Sequence, residues 1–428
     1  MRLPRRAHAT PIRAAARGGR GRAPVLCPLL LALGAAGCAG DGGRAVDGGC
    51  AGDPGADRPA PAFDARGYRT EYLGPGRDAP PPEDLREIRL ALFCPADENH
   101  PDWGDAWRGA VLAAEEANAG GGCLGLPVRL ASAWSENPWG TGVSGLVKLV
   151  YREGVLALIG GVDGATTHLA EQIAVKARLP LLSPGCTDPS VNLTNVAWMF
   201  TLLPTDDRNG AALADTVLAR RGGGSWSAIG TTDRDARVAW REFRAAAARR
   251  NAPAPALHLV LPPAAPDYGR AAADLAKSGA RAIVLFAAAR DAARLVKALR
   301  AVGYEGEIAG GAPLGRRPFL EEAGEAAEGV VFPLLFDPAA PGAAPFVHAY
   351  EARWGTPPDY LAAHAYDAVR LAIDATARAG PNRARIRDAL AGIETWRGAA
   401  GPLAWDATGR NTRPIVMGVW RSGCVARL

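Results

Sequence analysis

From Ile88 onward, short apolar segments alternate with longer amphipathic segments. The apolar segment Ile88–Phe93 predicts a buried strand, and Trp107–Asn118 combines apolar positions with two glutamates and predicts a helix that ends at the glycines after it. The same alternation predicts strands at Val128–Ala131, Val155–Ile159 and Leu179–Leu182, and helices at Val143–Arg152 and Thr166–Ala177.

After Pro204 a second series of the same kind begins. It predicts helices at Gly210–Arg220, Ala239–Arg249, Tyr268–Lys277 and Asp291–Val302, and strands at Trp226–Ile229, Leu257–Leu261, Ala282–Phe286 and Glu307–Ala309. Continuous apolar strands between helices are typical of parallel sheets that are covered on both faces. Two such series predict an α/β protein with two doubly wound lobes, and two further helices, Pro345–Trp354 and Tyr360–Ala379, precede a short β-like tail.

The N-terminus has the pattern of an export signal. Seven arginines precede the apolar run Val25–Ala36, which is followed by Gly37 and Cys38. Ala35-Ala36-Gly37-Cys38 resembles a bacterial lipobox, with Cys38 as the acylated residue that would anchor the chain to a membrane. A plain cleaved signal or a misassigned start codon would give a similar pattern.

A segment rich in glycine, proline, alanine and aspartate follows Cys38 and ends in Pro80-Pro81-Pro82. Such a composition buries too little apolar surface to offset the entropy of ordering, so residues 38–86 are predicted to form a flexible tether. The formal net charge of +5 includes the seven arginines of residues 1–37, which contain no acids, so the remainder carries −2. This removes the electrostatic reason to expect nucleic-acid binding.

The motifs of common enzyme classes are missing from the sequence. We find no GxGxxG after the first strand, no Walker loop, no GxSxG and no HExxH, and the histidines are scattered. The cysteines beyond Cys38 number five and have no metal-binding spacing, so no metal or cofactor is expected. An exported chain allows one or two disulfides among them, with the pairing left open.

Two loops after predicted strands carry glycines and hydroxyl groups. Residues 160–167 read Gly-Gly-Val-Asp-Gly-Ala-Thr-Thr and run from a strand into a helix, and residues 183–189 read Ser-Pro-Gly-Cys-Thr-Asp-Pro. Ligands of open α/β sheets bind at the carboxyl ends of strands, where free N–H groups and the helix dipole favour an anion. These loops are therefore candidate sites for a carboxylate.

Several segments, in one order and spacing, resemble the Leu/Ile/Val-type periplasmic binding proteins. They are Trp103-Gly104-Asp105 with Arg108-Gly109-Ala110, Leu158-Ile159-Gly160-Gly161, the segment from Leu181 to Pro189, Gly324 to Val330 and Gly401 to Gly409. The resemblance covers roughly Ile88 to Trp420. It implies a type I periplasmic binding fold with three hinge crossovers, in which two lobes close on a ligand.

The resemblance also implies boundaries, site residues and partners. The N-terminal lobe would comprise residues 87–203 and 335–402, and the C-terminal lobe residues 204–334 and 403–428. The expected ligand contacts are Trp103, Asp163, Gly164, Ala165, Thr166, Gly185, Cys186, Thr187, Asp235 and Ala312. We expect a monomeric lipoprotein that faces the periplasm and delivers an amino-acid-like or carboxylate solute to an ABC permease in the inner membrane.

The chain departs from the family pattern where a ligand's ammonium group would bind. Gly164 stands in place of a serine, Asp235-Ala236 in place of a Tyr-Gly pair, and Ala312 in place of the carboxylate that pairs with the ammonium. Asp163, Asp233 or Asp235 could take over that role, or the ligand could lack the ammonium. A ligand sensor on the same fold, an envelope interaction module that has lost solute binding, and an enzyme with no local motif remain alternatives.

Overall fold

The computed structural model describes residues 63–64, 71–194, 196–265 and 267–428. The predicted signal sequence, Cys38 and the start of the predicted tether lie outside the described residues. Two short strands, β1 (Phe63–Asp64) and β2 (Glu71–Tyr72), form an antiparallel pair ahead of the main fold. Within the described part of the chain, no helix is both long and apolar enough to span a membrane.

The first lobe is built on a parallel five-stranded sheet. Its strands are β3 (Ile88–Phe93), β4 (Val128–Ser132), β5 (Ala157–Gly160), β6 (Leu181–Ser183) and β7 (Met199–Thr201), in the order β4-β3-β5-β6-β7. The intervening helices are α1 (Gly104–Ala119), α2 (Val143–Arg152), α3 (Gly164–Ala177) and the single turn α4 (Ser190–Leu193). Separate apolar clusters cover the two faces of the sheet, as the continuous apolar strands predicted.

The second lobe repeats this strand order and extends it. Parallel strands β8 (Trp226–Thr231), β9 (His258–Leu261), β10 (Ala282–Phe286), β11 (Glu307–Gly310) and β12 (Val331–Pro333) lie in the order β9-β8-β10-β11-β12. The helices are α5 (Asp206–Arg220), α6 (Arg234–Arg249), α7 (Tyr268–Lys277), α8 (Ala289–Ala301) and α9 (Arg317–Ala323). In this order the ligand crevice lies beside the first strand of each sheet, where the winding reverses.

The chain crosses between the lobes three times. It enters the second lobe after β7 and returns after β12 to form α10 (Ala344–Trp354), α11 (Tyr360–Ala379), α12 (Arg383–Ala391) and the hairpin β13 (Trp396–Gly398) and β14 (Gly401–Leu403). It then crosses again to add β15 (Met417–Arg421) and β16 (Cys424–Arg427) antiparallel to the edge of the second sheet. The predicted fold of two doubly wound lobes with three crossovers is confirmed.

Some elements were not predicted, and all of them are short or weakly patterned. β7 and β12 have three residues each, and α12 is rich in arginine. α6 begins at Arg234, five residues before the predicted start, because Asp233 caps it by accepting a hydrogen bond from Ala236 N at 2.9 Å. Charged residues fill the first turn of this helix, so an apolar periodicity could not show where it begins.

The C-terminal part of the predicted tether packs on the fold. Tyr72 is buried against Trp198, with ring centroids 5.0 Å apart, and its backbone N–H donates to Asp388 in α12. Asn382 Nδ2 donates to the carbonyl oxygens of residues 76, 77 and 79 at 2.9–3.1 Å. The tether prediction is wrong for this part, because one aromatic side chain and an asparagine at the start of α12 hold a segment of otherwise loop-like composition.

The cysteines of the described residues are all free thiols. Cys94, Cys123 and Cys186 are buried and Cys424 is exposed. Burial alone raises the pKa of the Cys94 thiol to about 12, which leaves it protonated and unreactive. The disulfides that the sequence left open are not formed among these four residues.

Gly109 in α1 sets the distance between α1 and α11. A Cβ atom at this position would lie 2.1 Å from the carbonyl oxygen of Ala362 in α11. We expect Gly109→Ala to lower the free energy of unfolding by about 1–3 kcal/mol, because two packed helices have to move apart. Urea denaturation measures this. Gly269→Ala in the exposed first turn of α7 is the matched control and should change stability by at most about 1 kcal/mol. Equal effects of the two substitutions would contradict the close approach.

Candidate functional site

A cavity of about 520 Å³ lies between the lobes. Its wall is formed by residues at the carboxyl ends of strands from both sheets, as the rule for open α/β sheets predicts. These strands are β3, β5 and β6 of the first sheet and β8, β10 and β11 of the second. The volume is in the range of cavities that hold small organic ligands.

Most of the predicted contacts lie on this wall. The cavity is lined by Trp103, Asp163, Ala165, Gly185, Thr187, Asp235 and Ala312. Gly164 lies between two of the lining residues and points its N–H group toward the second lobe. Residues from loops far apart in the sequence are therefore brought to one place.

Two predicted contacts, Thr166 and Cys186, are not part of the cavity wall. The Thr166 hydroxyl accepts a hydrogen bond from Val162 N and donates to Asp163, so this residue closes the capping box that starts α3. Cys186 is fully buried in the apolar cluster beneath β6. The Thr166 hydroxyl caps a helix, and the Cys186 side chain points into the core. The residue type alone does not show that either side chain is turned away from the cavity.

Aspartates of the chain accept hydrogen bonds from the donors that were predicted to hold a ligand's carboxylate. Gly164 N donates to both carboxylate oxygens of Asp235, at 3.1 and 3.2 Å, across the gap between the lobes. The Thr187 hydroxyl donates to Asp206 at 2.9 Å, and the Thr166 hydroxyl donates to Asp163 at 2.6 Å. Asp235 belongs to α6, but its carboxylate lies at the N-terminal end of α3. The helix dipole favours an anion at this position.

Asp235 and Asp206 are unusually poor acids. Burial raises the pKa of Asp235 to about 7, and the neighbouring carboxylates Asp163, Asp188 and Asp233 add to the rise. Burial also raises the pKa of Asp206 well above its ordinary value, against the hydrogen bond from Thr187. Neighbouring carboxylates thus raise the pKa of both Asp235 and Asp206, and such a cluster is short of positive charge.

Ion pairs join the lobes beside the cavity. Arg234 at the start of α6 donates to Asp188 of the first lobe at 2.7 Å, and Asp188 is almost fully buried. In a second cross-lobe pair, Arg290 in α8 contacts Asp102 at 3.2 Å and the carbonyl oxygen of Pro101 at 3.1 Å. Together with the Gly164–Asp235 contact, these pairs hold the lobes in a closed arrangement.

Arg316 follows β11 and forms the most buried ion pair of the cavity wall. It donates to Asp359, the cap of α11, and to the carbonyl oxygen of Asp102 at 2.8 Å. Its guanidinium also lies over the rings of Trp103 and Tyr360, 5.7 and 5.6 Å from the ring centroids. One face of Trp103, the predicted aromatic wall, is thus covered by this arginine.

Several wall residues were missed from the sequence. Asp206 follows β7, a strand that was not predicted, so its loop was not searched. Arg316 and Arg290 lie beyond strand ends that were searched, but no motif drew attention to them. Tyr360 lines the cavity from the start of α11, and the strand-end rule gives no signal at a helix that follows no strand directly.

A chain of hydrogen bonds beside the cavity resembles a hydrolase triad in connectivity. His168 Nε2 lies 2.8 Å from Ser190 Oγ, and His168 Nδ1 lies 3.2 Å from Glu171. Ser190 Oγ, however, donates to Asp188 at 2.7 Å and accepts from Arg234 at 3.2 Å. Ser190 does not line the cavity, so we interpret the group as a docking point for Arg234.

Comparison with known proteins agrees with this geometry. The family model described as periplasmic binding protein matches residues 87–424. The chain belongs to this family. The family is a class of periplasmic, and therefore extracytoplasmic, solute-binding proteins and not a class of enzymes.

Individual relatives are distant. An amino acid binding protein of Pseudomonas aeruginosa is 27% identical over 135 residues, which cover 31% of this chain and 36% of that protein. The match therefore spans about a third of the curated relative. The branched-chain amino acid substrate-binding protein LivJ of Streptococcus pneumoniae, solved with isoleucine, has a TM-score of 0.72 at 24% identity and covers 80% of this chain and 98% of its own.

A third relative has a different ligand. A solute-binding protein of an ABC transporter from R. palustris, solved with benzoate, has a TM-score of 0.72 at 18% identity and covers 80% of this chain and 95% of its own. At these identities the solved structures establish the shared fold alone.

Proposed function

We propose that the protein is a solute-binding lipoprotein that captures a small solute between its lobes and delivers it to an ABC permease in the inner membrane. The observation that carries the proposal is the cavity of about 520 Å³ at the strand ends of both sheets, with cross-lobe ion pairs formed by its lining residues Arg234 and Arg290. A cavity of this kind between two lobes fits a ligand trap better than an interaction module that has lost solute binding. Relatives with this fold hold isoleucine and benzoate, so the fold itself accepts different solutes.

The membrane attachment in this proposal is through Cys38. The lipobox-like sequence precedes a segment that is long enough to separate the fold from a membrane surface, and β2 and the residues after it begin the contacts with the first lobe. We expect incorporation of labelled palmitate in a bacterial host and its loss in Cys38→Ala.

Ligand binding is tested by thermal unfolding of the purified protein against a broad panel of amino acids, amides, dicarboxylates, aromatic acids, sugars and amines. A ligand at a hundredfold excess over its Kd stabilises the native state by about 2.7 kcal/mol, which for a chain of this size raises Tm by a few degrees. We expect at least one compound class to give such a shift, with calorimetry showing a single site. No shift with any class would contradict solute binding.

A further inference from the structure

The charges on the cavity wall indicate the chemical class of the solute. Four arginines line the cavity, and each has a carboxylate within ion-pair distance. These pairs are Arg234 with Asp188, Arg290 with Asp102, Arg294 with Glu322 and Arg316 with Asp359.

Four aspartates on the same wall have no such partner. Asp163, Asp206, Asp233 and Asp235 all line the cavity, and among the described residues no arginine, lysine or histidine lies within 4.0 Å of their carboxylates. Asp206 is 95% buried, and burial raises its pKa, so its ionised form needs a cation beside it. When these carboxylates are ionised, the unbalanced charge on the wall is negative, and a cation is the group that would balance it.

The same aspartates exclude a ligand carboxylate from the first lobe. A carboxylate placed at the start of α3 would need the N–H group of Gly164, which Asp235 already occupies, and the hydroxyl of Thr187, which Asp206 already occupies. It would also lie beside these carboxylates, and like charges at that distance repel. An amino acid bound by its carboxylate at this site would have to displace two side chains.

Asp235 and Gly164 are matched in shape. A Cβ atom at residue 164 would lie 2.7 Å from Asp235 Oδ1 and 3.1 Å from Asp188 Cβ. The serine that the family resemblance leads us to expect at residue 164 therefore does not fit while Asp235 is in place. Gly164 and Asp235, which both depart from the family pattern, therefore belong to one arrangement. In it, the Asp235 carboxylate of the second lobe occupies the place at the start of α3 where a ligand's carboxylate was expected.

The remaining lone pairs of this carboxylate suit an ammonium group. A carboxylate accepts about four hydrogen bonds, and Gly164 N–H supplies one donor, shared between both oxygens of Asp235. An alkylammonium has three donors and no acceptor, so its head group is complementary to the aspartates. Much of the other wall is apolar and includes Ala239, Ala264, Phe286 and Leu361, which suits a hydrocarbon body.

We propose that the cleft binds an organic amine as a cation, with its ammonium group between Asp163, Asp206 and Asp235 and with no carboxylate bound at Gly164. This inference rests on the proposed function as a solute-binding protein and specifies its ligand. The ligand is an alkyl or aryl amine that lacks the α-carboxylate of an amino acid.

The experiment compares matched compounds on the full protein by calorimetry and thermal unfolding. Each set contains an amine, the amino acid with the same side chain and the acid without the amine: 3-methylbutylamine, leucine and 4-methylpentanoate form one set, and phenethylamine, phenylalanine and 3-phenylpropanoate another. We expect at least one amine to bind at least tenfold more tightly than its amino acid and its acid.

The variant Asp235→Asn keeps the size of the side chain and removes its charge. We expect it to weaken amine binding tenfold or more. Asp215→Asn, which neutralises an exposed aspartate of the same lobe far from the cavity, is the matched control and should change binding less than twofold. Asp206→Asn provides a second test if the Asp235 variant does not fold.

The pH dependence of the wild-type protein needs no variant. Because the pKa of Asp235 is about 7 in the absence of ligand, amine affinity should rise roughly tenfold or more between pH 5.5 and pH 8 as this carboxylate ionises. The charged and titratable groups that face Asp235 are Asp163, Asp188, Asp206, Asp233, Cys186 and Tyr360, with Arg234 beside Asp188.

The outcomes separate this inference from the proposed function. Tighter binding of leucine, phenylalanine or either acid than of the amines would overturn the cation proposal and leave solute binding intact, and so would binding of a neutral solute alone. An affinity that falls as pH rises would also overturn it. No binding by any compound of these sets or of the broad panel would count against both proposals.

Discussion

Replacement of Arg316 by methionine should lower the free energy of unfolding by about 3–5 kcal/mol, because it leaves a buried carboxylate without its cation. Asp359 and Arg316 are 6 and 5% exposed, and the arginine is also within 3.7 Å of Asp105. Methionine retains much of the apolar stem of arginine but removes the charge and the hydrogen bond to the carbonyl oxygen of Asp102.

Arg317 cannot fully replace the lost cation. Its guanidinium donates to both carboxylate oxygens of Asp105 at 3.1 Å, so it is already paired there, and only its backbone N–H reaches Asp359, at 3.2 Å. Asp359 would keep that donor and the N–H groups of Leu361 and Ala362. These neutral donors stabilise a carboxylate less than a guanidinium does.

Urea denaturation of the wild type and of Arg316→Met measures this loss. Arg290→Met is the matched control, because Arg290 also joins the lobes but pairs with Asp102, whose side chain is 49% exposed. A pair so accessible to water contributes about 0–1 kcal/mol, and the control should lose no more than this. A loss below about 1 kcal/mol in Arg316→Met would contradict the interpretation of Arg316 as a buried structural cation.

The architecture could be predicted because it depends on long, strongly apolar segments. The predicted bounds of α2, α7, β10 and α11 match the structure residue for residue, since each is bounded by loop-forming residues or by a cap. Two consecutive series of alternating strands and helices allow few topologies, because parallel connections are right-handed and short. The number of lobes followed from this constraint.

The site could be predicted only as a set of loops. The strand-end rule pointed to Asp163 and Thr187, and both line the cavity. It could not show that Asp235 reaches across the cleft to Gly164, because that contact joins residues 71 positions apart on different lobes. Gly164 and Asp235 are two separate departures from a family pattern, and only the geometry reveals that one explains the other.

The structural role of a hydroxyl or carboxylate group also depends on its neighbours. Thr166 and Thr187 are the same residue type in similar loops, but Thr166 completes a helix cap whereas Thr187 lines the cavity and holds Asp206. Asp206 itself was missed because β7, the strand before it, has only three residues and no distinct apolar pattern. Short strands at the edge of a sheet gain their stability from the neighbouring strand, and a local reading of the sequence does not capture this.

A second large effect is expected from His364, which is buried in α11 with 2% of its surface exposed. Its Nδ1–H donates to the carbonyl oxygen of Tyr360 at 2.7 Å, and its Nε2 has no hydrogen-bond partner within the described residues. Burial lowers the pKa of His364 to about 3, and Arg413 adds to the lowering, while Asp359 opposes it. The ring is therefore neutral in the folded protein at every pH above about 4.

Acid should destabilise the folded protein through this residue. The unfolded chain binds a proton at His364 as pH falls below 6.5, but the folded chain does not do so until about pH 3. Stability is therefore lost progressively as pH falls from 6.5, by about 1.4 kcal/mol per pH unit. The variant His364→Leu removes this contribution, so its stability relative to the wild type should rise by about 2–3 kcal/mol between pH 7.5 and pH 4.5.

The measurement is urea denaturation of both proteins at the two pH values, with the change between them compared. Titration of the aspartates affects both proteins equally and cancels in this comparison. His348→Leu, which removes an exposed ring from α10, is the control and should leave the pH dependence of the wild type unchanged. If His364→Leu and the wild type lost the same stability on acidification, the buried ring would have to accept its proton in the folded state, and the neutral histidine inferred here would be wrong.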